Sequence, residues 1–227
     1  VIYDFHTHTF LSDGELLPME LIRRCVVRGY TVLGIADHVS DSTVERVIKE
    51  AQRDAVLGKR HWGIEVLVGA EITHVPAAAI AQVATNALAY GAEYIVVHGE
   101  TAVEPVEPGT NRAAIVSGKV DILAHPGLIT LEEAKLAAEH DVFLEISCRK
   151  GHSLANGRVV QLGREAGAKF LINTDSHAPG DLLTEDFAVT IARAAGLSDG
   201  EASQVLYENP KLLLQRAILR RGGLIEA

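Results

Sequence analysis

The sequence predicts an α/β fold, a (β/α) barrel with seven strands, and two observations carry that reading. Short apolar segments rich in Val, Ile and Leu recur seven times along the 227 residues, and helical patterns fall between them. Near-continuous apolar runs suit strands covered on both faces, as in a parallel sheet wrapped by helices. Alternating strands and helices close such a sheet into a barrel. With 48% hydrophobic residues the chain can bury one large core, so a single domain over residues 1–227 is expected.

The strands are expected at 1–5, 31–36, 65–69, 94–97, 120–124, 142–146 and 169–173. Pro18 suits the first turn of a helix over 18–28, which Gly29 stops. Ser42 or Thr43 caps a second helix reaching about residue 57, and Pro76 begins an Ala-rich third that ends before Gly91. A weaker helix covers 111–116. Thr130 followed by Glu132 and Glu133 marks another start, because carboxylates in the first turn complement the helix dipole. Helices over 153–165, 182–195, 199–207 and 210–219 complete the pattern, with no repeat, low-complexity tract or linker.

A formal charge of −9 and the lack of a basic stripe interleaved with aromatics make nucleic acid a poor candidate partner, without excluding it. Apolar runs fall well short of the roughly 18 residues of a membrane span, and no signal-peptide pattern opens the chain. The chain starts at Val1 rather than Met, which leaves room for a trimmed upstream segment. Cys25 and Cys148 make neither a disulfide framework nor a thiolate zinc site, so a reducing cytoplasm is expected.

In such barrels the active site is built at the C-terminal ends of the strands. His6 and His8, two residues apart at the end of the first strand, share a face because strand side chains alternate. Asp13 follows in a Ser-Asp-Gly turn that can fold back on the same pocket. The second strand ends in Asp37-His38, the third in Glu71 with Thr73 and His74, the fourth in His98-Gly99-Glu100 and the fifth in His125-Pro126. The sixth gives Ser147-Cys148-Arg149-Lys150, and the seventh Thr174-Asp175-Ser176-His177. One such histidine is commonly a satisfied loop residue. Six of the ten histidines, with Asp13, Glu71 and Asp175, should converge. Imidazole and carboxylate donors without thiolate suit Zn, Mn or Fe, and nine donors are enough for two or three divalent ions.

The ordered series His6-x-His8, Asp13, His38, Glu71, His98, His125-Pro126 and Asp175-x-His177 closely resembles the PHP family, named for polymerase and histidinol phosphatase. The resemblance covers nearly the whole chain. It implies a distorted, TIM-like (β/α)7 barrel with a trinuclear metal site and, most often, phosphoester hydrolysis. It further implies that His6, His8, Glu71 and Asp175 hold one ion, and that Glu71, His98 and His125 hold a second. Asp13, His38 and His177 would hold the third, although some family members carry His at the Asp13 position.

The chemistry fits a phosphatase. Two cations activate a water and neutralise phosphoryl charge during in-line attack. Glu71, His98, Asp175 and His177 are assigned to the reacting centre. Arg149 is expected as a fork for phosphate oxygens, Arg112 as a second basic candidate, and His74 as an imidazole able to protonate the leaving group. Lys150 and His152, beside a helix start at Ser153, read as solvated, and Cys148 as a small buried thiol. The expected substrate is a small phosphate monoester, with histidinol phosphate as the family's best-known example. Two other readings are a nuclease or nucleotide phosphoesterase, and a metal-free module resembling the barrel-shaped RNase P protein subunit.

Overall fold

The computed structural model describes residues 1–225. Its strand segments are β1 (Ile2–Asp4), β2 (Tyr30–Ile35), β3 (His38–Val39), β4 (Glu65–Val68), β5 (Ala70–Ile72), β6 (Ile95–His98), β7 (Ile122–Ala124), β8 (Phe143–Ser147) and β9 (Phe170–Asn173). They pair in the orders β1-β2-β4 and β3-β5-β6-β7-β8-β9, all in parallel. β2 runs into β3 across Ala36 and Asp37, and β4 into β5 across Gly69, so the segments form seven staves. Backbone bonds carry the pairing through both breaks, with Gly69 N donating to Ile35 O at 2.8 Å and Glu71 N to Asp37 O at 3.0 Å. The ring closes where Thr7 bridges Ser176 in parallel, with Asp175 N donating to His6 O at 2.8 Å. The distorted (β/α)7 barrel is the fold of this chain.

The surrounding helices are α1 (Pro18–Val27), α2 (Val44–Trp62), α3 (Ile80–Ala89), α4 (Thr110–Val116), α5 (Leu131–Glu139), α6 (Asn156–Ala166), α7 (Glu185–Ala194), α8 (Asp199–Ser203) and α9 (Asn209–Ile225). α2 outlasts its expected end because the next left-handed stop is Gly63, at φ 70°. Its N-cap residue is Thr43, but the Thr43 hydroxyl accepts from Ser40 N rather than from the helix. The helix expected over 182–195 starts at Glu185, because Leu182 and Leu183 are buried ahead of it and Thr184 supplies the cap. Thr130 forms a full capping box with Glu133.

Phe5, Val32, Leu67, Tyr94, Val96, Ile122, Phe143 and Leu171 fill the barrel interior. Tyr94 donates its hydroxyl to Phe5 O at 2.8 Å. Its ring fits only because Gly34 and Gly69 lack side chains. A Cβ at either would lie 2.3 or 2.5 Å from Tyr94 atoms.

α9 closes the N-terminal mouth. Leu213 and Ala217 bury themselves in the interior cluster, and three arginines clamp acids at the strand starts. Arg216 reaches Asp121 at 3.0 Å and Asp141 at 2.6 Å, Arg220 also holds Asp121, and Arg221 binds Glu65 at 2.7 Å together with Glu93. Among the described residues no helix is long and apolar enough to cross a membrane.

Asp121 is fully buried, pairs with two arginines and accepts from Ile95 N at 2.9 Å. Asp121→Ala therefore strands the Ile95 N–H and takes the buried partner from Arg216 and Arg220, which keep Asp141 and solvent, and should cost about 1–3 kcal/mol in urea unfolding. An unchanged midpoint would show that the clamp contributes nothing.

Candidate metal centre

Three buried polar anchors shape the C-terminal face. Asp4, in β1, accepts from Thr174 N at 3.1 Å and Thr174 Oγ1 at 2.6 Å, tying the last stave to the first. Asp37 accepts from Thr9 N at 2.6 Å, Thr9 Oγ1 at 2.7 Å and Ser12 Oγ at 2.6 Å. That folds the segment after His8 back, so Asp13 returns to the pocket. Gly14 permits the fold, since a Cβ there would sit 2.6 Å from His8 O. Glu145, in β8, lies 2.7 Å from His6 Nδ1 and accepts from Asn173 Nδ2 at 3.0 Å. It fixes the His6 ring so that Nε2 faces the pocket.

The structure brings all nine expected donors to this face. Glu71 Oε2 lies 2.6 Å from His38 Nδ1, 3.3 Å from His6 Nε2 and 3.5 Å from His8 Nε2, and its Oε1 lies 3.7 Å from His125 Nε2. Asp175 Oδ1 stands 3.1 Å from His8 Nε2. Asp13 Oδ1 stands 3.2 Å from His177 Nε2 and 3.6 Å from His38 Nε2. Sets close enough to share an ion are His6–His8–Asp175, His6–Glu71–His125, His8–Asp13–His38–His177, His98–His125–His152 and His74–His98–Glu104. His74, His125 and Asp175 adopt positive φ, a strained backbone concentrated at this site.

Buried polar atoms normally have partners. Here His6 Nε2, both nitrogens of His8, both oxygens of Glu71, His98 Nδ1 and His125 Nδ1 are buried without a hydrogen-bond partner. Divalent cations take one nitrogen from each imidazole and the Glu71 oxygens, and the donor sets fit two to three of them. Electrostatics of the metal-free arrangement agree. Burial opposes charge on His6, but Glu145, Glu71 and Asp175 hold its pKa well above the usual value. Burial likewise opposes charge on His38, yet Glu71 raises it to about 9. Burial, reinforced by neighbouring His38, keeps His8 well below its usual value. Burial raises the Asp175 carboxyl to about 7 against the pull of His6.

Four placements differ from expectation or were missed. Arg112 does not reach the site. It pairs with Glu132 at 2.8 Å on the outside of the barrel, because that face of α4 points away from the strand ends. His152 is not solvated but 5% exposed, stacked on His125 with ring centroids 3.9 Å apart. Gly151, at φ 95°, turns the chain so that the imidazole enters the pocket. Glu104 reaches the face from the irregular segment between β6 and α4, 3.0 Å from His98 Nε2. Glu145 was hidden as a lone acid in an apolar strand, and that anomaly was its only signal. Arg149 and His74 both line the cleft, a hollow of about 430 Å³. Arg149 donates to Asp175 O at 3.0 Å and touches His177. Cys148 lies on the apolar side, packed against the core.

A parallel barrel with imidazoles and carboxylates gathered at one mouth, in sets able to hold two to three divalent ions, defines a metal-dependent hydrolase. The chain belongs to the PHP-domain family, whose model matches residues 4–217. An uncharacterized protein of Methanocaldococcus jannaschii is 47% identical over 215 residues, covering 94% of this chain and 99% of its own. A probable phosphatase of Shewanella sp. strain ANA-3 is 35% identical over 130 residues, 49% of this chain and 50% of that protein. A 5'-3' exoribonuclease of Haemophilus influenzae is 34% identical over 71 residues, 31% of this chain and 23% of that enzyme. The fold is shared with a chain of archaeal ribonuclease P solved with mature tRNA, with a TM-score of 0.69 and 16% identity over 96% of this chain and 93% of that one.

These relatives overturn the expectation that nucleic acid is a poor candidate partner. Proteins associated with nucleic acid are among those that share this sequence pattern and fold. Net charge misled because it sums over the whole chain. Glu65, Glu93, Asp121 and Asp141 are tied to arginines at the opposite mouth, while Glu71 and Asp175 lie where cations reverse the local sign.

Metal ligands must be unprotonated imidazoles. His6 and His38 hold protons in the metal-free chain because their pKa values are raised, His38 to about 9. Loading at neutral pH should therefore release protons, and apparent affinity should rise as pH climbs toward that value. Calorimetry in buffers of different ionisation heat reads the release directly, and a proton count of zero would contradict the arrangement.

Proposed function

We propose that this chain is a phosphatase acting on a small phosphate monoester. The PHP family and the donor clusters support metal-dependent phosphoester hydrolysis. The observation that carries the finer reading is Arg149, whose one-third-exposed guanidinium stands beside Asp175 and His177 in the cleft. In this reading His6, His8, Glu71 and Asp175 hold one ion, Glu71, His98 and His125 a second, and Asp13, His38 and His177 a third, as Zn, Mn or Fe. When bound, such ions supply an activated water and neutralise phosphoryl charge.

The chain's own groups do the rest. Glu145 orients His6, and Arg149 fixes Asp175 and His177 while offering its remaining N–H groups to phosphate oxygens. His74 is half-exposed at the cleft edge, and in this reading it gives the leaving oxygen a proton. A nucleotide or nucleic-acid phosphoester is the second reading. The exoribonuclease relative favours it, and so does an adjoining hollow of about 460 Å³ that shares Arg149 and His177 and has room for a longer substrate.

Elemental analysis of untagged protein, followed by a panel of monoesters including histidinol phosphate, nucleotides and single-stranded nucleic acid, tests both readings. Monoester turnover with two to three ions supports the first, and turnover of nucleic acid alone the second. A metal-free, inactive protein would leave a structural role. Chelation and Glu71→Gln should each abolish turnover. Arg149→Ala should raise KM about 10–100-fold, the worth of one or two charge-assisted hydrogen bonds. Full activity after chelation would refute the hydrolase mechanism.

A further inference from the structure

His152 and Glu104 lie outside the nine expected donors, yet both face the same space as His98 and His125. His152 Nδ1 sits 2.8 Å from the buried Thr101 hydroxyl, which fixes the ring so that Nε2 faces the cleft. With the proton on Nδ1, the Nε2 lone pair is free toward the space it shares with Glu104 Oε1 at 3.4 Å and Asp175 Oδ2 at 3.9 Å. Glu104 Oε2 in turn stands 3.0 Å from His98 Nε2 and 3.5 Å from His74 Nε2. The His152 and His125 rings stack within 12° of parallel. A histidine whose far nitrogen is fixed by a second residue, with its near nitrogen among acceptors, is arranged as a metal ligand.

We propose that His152 and Glu104 are ligands of a divalent transition-metal ion held together with His98 and His125. The inference rests on the metal-centre reading above and extends it by two donors, one from the turn after β8 and one from the segment after β6. Glu104 supplies the carboxylate that the three imidazoles lack. Thr101 is a positioning residue that holds the His152 ring with Nε2 toward the cleft. The same loop carries both, since Thr101 and Glu104 are three residues apart. Order in that loop is therefore linked to occupancy of the ion.

The test is metal binding by the full chain. His152→Asn, Glu104→Gln and Thr101→Val are compared with wild type and with Glu132→Gln, a surface carboxylate control. Bound metal is counted by elemental analysis after dialysis, and cobalt(II) is titrated with its visible d–d absorption as the readout. Glu104 is 38% exposed, so its variant keeps the fold even if His152→Asn does not. One cobalt step should weaken at least about tenfold in each site variant, with altered absorption, while Glu132→Gln behaves as wild type. Wild-type stoichiometry and spectra in both Glu104→Gln and Thr101→Val would overturn the inference and leave the phosphatase reading standing. A wild-type chain that binds no divalent metal would overturn both.

Discussion

A carboxylate removed from water must be surrounded by positive charge or lose its own, and Glu71 imposes that condition on the whole C-terminal face. It has no exposed surface, and neither oxygen has a hydrogen-bond partner. An isolated buried ion of this kind is too costly to keep. Burial opposes its ionisation, yet His6 and His38 hold its pKa well below the usual range. The remaining machinery serves that arrangement. Glu145 turns His6 toward it, Asp4 locks the closing staves, and Asp37 brings Asp13 within reach. The pocket is a polar core whose donor set suits cations.

Much of this was legible because strands and ligands obey short periods. Each expected strand lies within a residue or two of an observed one, since buried parallel strands have to be apolar along their length. His6-x-His8 was readable because alternate residues of extended chain share a face, and Asp175-x-His177 because it directly follows an apolar run whose C-terminal end opens on the site. Glu104 was not, because nothing local dictates where an irregular segment points. His152 was misread because its direction depends on the left-handed Gly151 rather than on any strand. Arg112 failed for the opposite reason. It was placed by its position after a strand, but the rotation of a short helix decides what such a residue meets. The role of α9 was equally hidden, because its pattern does not say that it will lie across a barrel mouth.

Global charge proved a poor guide to partners for a related physical reason. A net charge carries no positions: Asp121, for one, is fully buried under Arg216 and Arg220 at the mouth opposite the site. What an incoming phosphate meets is the local field of the cleft, where Arg149, imidazoles and bound cations set the sign. A monoester presents three terminal oxygens and up to two negative charges to that field, a diester two oxygens and one. They differ also in what must be accommodated beside the phosphate.

The packed interior also decides how molecules come and go. Phe5, Leu67, Tyr94, Ile122, Phe143 and Leu171 fill the barrel from stave to stave, and Leu213 and Ala217 of α9 continue that packing at the N-terminal end, so the barrel is a shallow cup, and ions, substrate and product share one rim. Traffic through a cup is sequential: whatever leaves must clear the rim before the next molecule can enter, so a product that lingers in the surroundings competes with substrate for the same opening.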